Sequence, residues 1–121
     1  MEAESPKERS NNLEDNLKKA LTELLVLYLL SQREYYIGEL TDALQEKSGG
    51  ALTIVFPYAA IYRMSRAEYI TESKKRVAPD GRWRQYYKIT PEGRAYLREL
   101  LETYDRFITG VSEILKGGDG T

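Results

Sequence analysis

The chain has 121 residues, 41% of them hydrophobic and 31% charged, which is the make-up of one soluble domain with a core and leaves little room for a second domain. It contains neither cysteine nor histidine, which excludes disulfides, thiolate nucleophiles, imidazole bases, Cys/His zinc sites and every triad that needs a histidine. With 18 basic and 19 acidic residues the net charge is −1, so any pull toward a polyanion has to be local.

Residues 1–9 alternate charge and lack an apolar stretch, so no signal peptide is read there; a mobile tail and a cytoplasmic location are expected. Asn11 or Asn12 can cap a first helix in which Leu13, Leu17, Ala20, Leu21, Leu24, Leu27 and Tyr28 recur at helical spacing. Its end, Leu24 to Leu30, is an apolar run of seven residues, too short for a membrane span of roughly 18. A run that is apolar all round belongs at the centre of the fold, under a second chain, or both. After the polar link Ser31 to Tyr36, the residues Ile37, Leu40, Ala43 and Leu44 predict a short second helix that Ser48-Gly49-Gly50 ends. Thr53 can cap a third helix from Ile54 to about Arg66, with Pro57 in its first turns. On the helical wheel Ile54, Pro57, Tyr58, Ile61 and Met64 form the expected core face, and Val55, Phe56, Ala59, Tyr62, Arg63 and Arg66 the opposite one.

The period then changes. Ile70 to Val77, the turn Pro79-Asp80-Gly81 and Arg82 to Ile89 read as a β-hairpin, with Trp83, Tyr87 and Ile89 inward and Arg82, Arg84, Tyr86 and Lys88 outward. Thr90-Pro91-Glu92 starts a last helix of which Leu97, Leu100, Leu101, Tyr104, Phe107, Ile108, Val111, Ile114 and Leu115 form one stripe. A helix to about Lys116 outruns a tri-helical head, so its distal half needs another surface; the closing residues 117–121 read as a second mobile tail.

The expected fold is mainly α with a small β-hairpin: a winged helix-turn-helix over residues 10–90, followed by a long C-terminal dimerisation helix over residues 91–116. Charge follows that plan, for between Arg63 and Lys88 eight basic residues face three acidic ones, a local +5 in an otherwise acidic chain. A positive pole on the third helix and hairpin suits duplex DNA. Thr53, Phe56, Tyr58, Tyr62, Arg63, Arg82 and Arg84 are the expected DNA contacts, apolar residues suiting thymine methyls and cations suiting phosphate or guanine. The same exposed residues would suit a protein partner, so a winged-helix interaction module is the alternative, distinguishable by its weak salt dependence. Catalysis by carboxylates alone, with Glu34, Glu39 and Asp42 as candidates, is the least favoured reading, since charges on short surface helices are commonly a solvated face. Trp83 could line a pocket for a flat ligand, although an inward strand tryptophan is more often core.

Leu24-Leu25-Val26-Leu27-Tyr28-Leu29-Leu30, Glu39-Leu40, Tyr58-Ala59-Ala60-Ile61-Tyr62-Arg63-Met64 and the segment from Gly81 to Gly93, ending Tyr-Tyr-Lys-Ile-Thr-Pro-Glu-Gly, together resemble the PadR family of bacterial transcriptional regulators. The resemblance runs from about Leu13 to Leu115. It implies a homodimeric winged-helix repressor, in some cases released by a small aromatic or lipophilic effector, with the last helix serving dimerisation and the Tyr58 hydroxyl reaching a phosphate. Neither cofactor nor metal is expected, and no membrane. The dimer is expected to use Leu24 and Leu27 of the first helix with Leu101, Tyr104, Phe107, Ile108, Val111 and Leu115 of the last. The sequence departs from the family pattern at Ile37-Gly38, at Ile54-Val55-Phe56 and at Glu68, where a glycine is usual.

Overall fold

The computed structural model describes residues 6–52 and 57–117. In chain order the elements are α1 (Pro6–Leu30), β1 (Tyr35–Tyr36), α2 (Ile37–Lys47), α3 (Pro57–Arg66), β2 (Ile70–Val77), β3 (Trp83–Ile89) and α4 (Pro91–Gly117). Three helices, a hairpin and a long last helix make the winged helix-turn-helix arrangement, with the hairpin β2–β3 as the wing.

α1 starts earlier than the sequence suggests. Proline suits the first position of a helix, where its missing N–H costs nothing, so Pro6 begins α1, and Asn11 and Asn12 lie within the helix instead of capping it. Residues 6–9 are therefore helical, as is Gly117 at the end of α4; both fall in segments expected to be tails. The apolar end of α1 runs through the centre of the fold, packing against α2, α3, α4 and β3, with Leu24, Val26, Leu27, Leu29 and Leu30 all buried. Leu40 and Leu44 of α2, Ala60, Ile61 and Met64 of α3, Ile70, Ile89 and Leu97 close the same core.

The sheet has three strands in the order β1-β3-β2, all antiparallel. Tyr35 and Tyr36, expected within a polar link, pair with Tyr87 and Tyr86 and form a third strand at the edge of β3. Two side chains of β3 keep the face expected of them but not its exposure. Tyr86 does lie on the face away from the core, opposite Tyr36, yet it is 3% exposed because it is roofed by its own neighbours: the Tyr36 ring meets it edge-on at 5.5 Å and the Arg76 guanidinium lies 3.6 Å above it. Trp83 shares the parity of Tyr87 and Ile89, but it begins β3 at the wing tip, beyond the reach of the core, and is 71% exposed.

The joint between wing and α4 is tightly built. Thr90 caps α4, its Oγ1 accepting the Gly93 N–H at 2.9 Å and donating to the Glu68 carbonyl at 2.6 Å, while its N–H donates to the Tyr69 carbonyl at 3.0 Å. α3 ends in a Schellman turn, with the Tyr69 N–H on the Met64 carbonyl and the Glu68 N–H on the Ser65 carbonyl, which places Glu68 at φ 63°.

Candidate nucleic-acid interface

α3 turns Ala60, Ile61 and Met64 inward, so Tyr58, Ala59, Tyr62, Arg63 and Arg66 form one outward stripe. Tyr58 corrects the wheel assignment: it is 72% exposed, and Ala60 takes the inner place, because the buried face is centred on Ala60, Ile61 and Met64 and the helical period leaves Tyr58 on its flank. Thr53, Ile54, Val55 and Phe56 lie outside the described residues. Tyr62 accepts a hydrogen bond from Arg66 Nη1 at 3.1 Å, and Arg63 Nε donates to Glu23 Oε1 of α1 at 3.3 Å. Glu23 also accepts from the Tyr96 hydroxyl, whose ring stacks on Tyr69 at 4.2 Å, so α1, α3 and α4 are tied behind the stripe. Burial, then the charge of Glu23, pushes the Tyr96 hydroxyl above its ordinary pKa.

The wing supplies most of the charge. Its tip is a tight turn at Asp80-Gly81, with Gly81 at φ +83° and the Ala78 N–H on the Arg82 carbonyl at 2.8 Å. Asp80 Oδ1 accepts the Arg82 N–H at 3.0 Å and its Oδ2 accepts from Arg84 Nη2 at 2.5 Å. The Arg84 hydrogen bond first, and the Arg82 N–H second, hold the Asp80 carboxyl below the usual carboxylate range. The Arg84 guanidinium sits 5.1 Å over the Tyr36 ring. Its Nε is buried and finds no acceptor among the described residues. The strands shift register between Glu72 and Lys75, and Gln85 Nε2 spans the irregularity by donating to the carbonyls of Ser73 and Tyr86. Arg76 is held by Glu34 at 3.4 Å, and Ser73 donates to the same carboxylate oxygen.

Tyr58 of α3 and Trp83, Arg84 and Tyr87 of the wing border one cleft of about 270 Å³, floored at the start of α2 by Tyr36, Ile37 and Gly38. Arg82 is exposed at the tip of the same hairpin, and Arg63 lies a turn and a half along α3 from Tyr58. Asp80, Glu34, Tyr36 and Tyr86, which organise the wing, were not singled out as a group from sequence; only Asp80, inside Pro79-Asp80-Gly81, carries a local turn signal.

The carboxylates weighed for catalysis are otherwise engaged. Glu34 holds Ser73 and Arg76, and Glu39 accepts from Arg33 and from the Tyr36 N–H at the start of α2; Asp42 is exposed on that helix. Among the described residues no three acidic side chains gather in a way that could hold a metal ion, and no helix is long and apolar enough to cross a membrane.

On α4 the stripe divides. Leu97 is buried and Leu100 partly so, whereas Leu101, Tyr104, Phe107, Ile108, Val111, Ile114 and Leu115 are exposed. Leu27, expected at a subunit contact, is 0% exposed within the chain's own core, and Leu24 has only 7%. Leu24 lines, with Leu21, Leu25, Tyr28 and Leu52, an apolar groove of about 290 Å³ against Leu101 and Tyr104.

Residues 26–99 match the Transcriptional regulator PadR-like family. Among solved structures, a PadR-like transcriptional regulator from Bacillus cereus is 27% identical with a TM-score of 0.71, over 83% of this chain and 96% of that one. A PadR family transcriptional regulator from Eggerthella lenta, 21% identical with a TM-score of 0.74 over 90% and 94% of the two chains, shares the fold. A protein from Lysinibacillus sphaericus without an assigned function is 29% identical over 82 residues, 66% of this chain and 74% of that one.

Proposed function

This chain belongs to the PadR-like family of transcriptional regulators, and from that premise we propose that it is a homodimeric repressor that binds a palindromic duplex operator through α3 and the wing. One observation carries the reading: exposed Tyr58 on α3 and Arg84 on the wing border a single cleft, so a groove-reading helix and a basic hairpin present one continuous face. In the bound state Tyr58, Arg82 and Arg84 hold the sugar-phosphate backbone while Tyr62 and Arg63 reach bases or the phosphates beside them. Thr53 and Phe56 complete the reading edge in this proposal.

The second copy covers the exposed half of the α4 stripe. Fully burying each of Phe107, Ile108, Val111 and Leu115 is worth about 1.5–3 kcal/mol, and Tyr104 continues the same stripe. Two-fold symmetry then sets two α3 helices against half-sites about one DNA turn apart, and palindromic operators follow. The groove at Leu21, Leu25, Tyr28, Leu101 and Tyr104 is apolar and of a size for a small ligand, and it is where we place an aromatic or lipophilic effector that releases the repressor. The place of action in this proposal is the cytoplasm.

The test is duplex binding by fluorescence anisotropy across a salt series, using an operator selected from a randomised duplex pool. Arg82→Ala with Arg84→Ala should weaken operator binding and flatten the slope of log K against log salt by up to about two units, near 0.9 for each phosphate lost. Binding that is insensitive to salt would replace DNA with an apolar protein partner. A slope that the double substitution leaves unchanged would remove the wing from the interface.

A further inference from the structure

The basic face divides its cations into two kinds. From the link before β1 to the wing the ion pairs are made by arginine: Arg33 with Glu39, Arg63 with Glu23, Arg76 with Glu34 and Arg84 with Asp80. Lys74, Lys75 and Lys88 of the wing, and Arg82 at its tip, are exposed and join no ion pair in that set. A surface built only to attract phosphate gains nothing from carboxylates laid against its guanidinium groups, since each cancels the charge of one contact. The free cations already supply attraction that ignores sequence.

Arg84 is the most tightly held of these. The carboxylate of Asp80 is fixed by the turn N–H of Arg82 and takes Nη2 at 2.5 Å, and the guanidinium sits over Tyr36 in the cleft shared with Tyr58, its Nε lacking an acceptor among the described residues. A phosphate that captures Arg84 has to displace Asp80 and then tolerate that carboxylate nearby. On a duplex lying in arbitrary register the exchange gains almost nothing, because one charge-assisted bond replaces another. Where α3 fixes the register, a phosphate can be placed so that two of its oxygens meet the guanidinium together, and bidentate pairing makes the exchange favourable.

We infer that Asp80 is a specificity-determining residue, which withholds Arg84 from the backbone of unspecific DNA and yields it to a phosphate held in register by α3. The inference rests on the reading of α3 and the wing as a duplex-binding face.

Asp80→Asn tests it, because asparagine keeps the oxygen that accepts the Arg82 N–H and puts in place of the charged oxygen that holds Arg84 an amide NH2, which cannot accept its hydrogen bond. Binding is measured by anisotropy on the selected operator and on a scrambled duplex of equal length and composition, across salt. The expected result is affinity for the scrambled duplex raised by about fivefold, the upper end for an exposed ion pair, with the operator changed by less than about twofold. The salt slope on the scrambled duplex should steepen by about 0.9, one added phosphate. Both effects should vanish when Asp80→Asn is made in an Arg84→Gln background. Glu72→Gln is the control, an equal change of charge on the same wing at a carboxylate outside every ion pair among the described residues. If Glu72→Gln matches Asp80→Asn, if Asp80→Asn strengthens both duplexes equally, or if it changes neither, the inference is overturned while DNA binding stands. If wild-type protein binds no duplex, the functional reading fails and the inference with it.

Discussion

Gly93→Ala should be the most damaging of the glycine-to-alanine changes among the described residues. α4 enters at the end of the wing, and Gly93 in its first turn is buried against the carbonyl of Tyr69. A Cβ there would stand 2.0 Å from that oxygen and 2.8 Å from Ile89 Cγ1, where ordinary contact begins at 3.4 Å, so the turn would have to retreat by about 1.4 Å. Retreat is opposed by Thr90, which binds the same Tyr69 carbonyl through its N–H and the Glu68 carbonyl through its hydroxyl. Losing those two hydrogen bonds costs about 1 kcal/mol each. Overpacking adds about 1–3 kcal/mol. Alanine's better helix propensity returns at most about 1 kcal/mol, which leaves a net loss of about 3 kcal/mol. For a domain of this size that is a fall in Tm of about 10 °C or more. Urea and thermal unfolding followed by circular dichroism measure it directly. A Gly93→Ala protein within about 0.5 kcal/mol of wild type, the range of an ordinary surface change, would refute the argument that this joint is rigid.

Three further outcomes follow from other parts of the structure. Glu68→Gly should raise stability by about 1 kcal/mol, because Glu68 holds φ 63° at the C′ position of the α3 Schellman turn, where glycine is free of strain; an unchanged or lower urea midpoint would contradict this. Ile108→Glu with Val111→Glu places charge in the exposed α4 stripe and should give a folded monomer by sedimentation that has lost operator affinity, whereas a wild-type protein that is monomeric at micromolar concentration would sink the dimer. Burial raises the pKa of Tyr36, Tyr87 and Tyr96. The unfolded chain therefore loses these protons first, near pH 10, and the stability these tyrosines contribute, complete below that pH, is lost as pH rises through their folded values. Urea midpoints taken at pH 8 and at pH 10.5 should differ in that direction, and equal midpoints would remove the tyrosines as a cause.

Much of the fold was legible because its elements announce themselves by period and punctuation. The apolar run at Leu24 to Leu30 belongs where it was expected, at the centre, and Thr90-Pro91 starts α4 with the cap that the sequence implies. Misplacements arise where tertiary contact outweighs a local pattern. Tyr35 and Tyr36 look like part of a polar link because a two-residue strand has no period of its own; it exists only because β3 offers a free edge. Tyr86 and Trp83 show the limit of alternation, which fixes the face of a side chain but not its cover. The outer face at Tyr86 is roofed by Tyr36 and Arg76, whereas the inner face at Trp83 has run out of core to meet.

The candidate site was legible as a list of cations and illegible as a set of pairs. Arg63, Arg82 and Arg84 could be named from the run of positive charge, yet nothing in that run says that Glu23, forty residues before Arg63, reaches it, or that Glu34 reaches Arg76. Distance in sequence hides such partners, and a local sum of +5 counts the arginines as free when several are held. The nearest pair, Asp80 with Arg84, was within reach of sequence reasoning. An aspartate in a Pro-Asp-Gly turn sits four residues before an arginine on the returning strand, and a tight turn folds the two together. The departure at Glu68 is informative in the same way: its positive φ is what makes glycine the favoured residue there. The side chain departs from the family pattern while the backbone keeps the geometry that glycine serves, so this substitution bears on stability and leaves the exposed stripe of α3 intact.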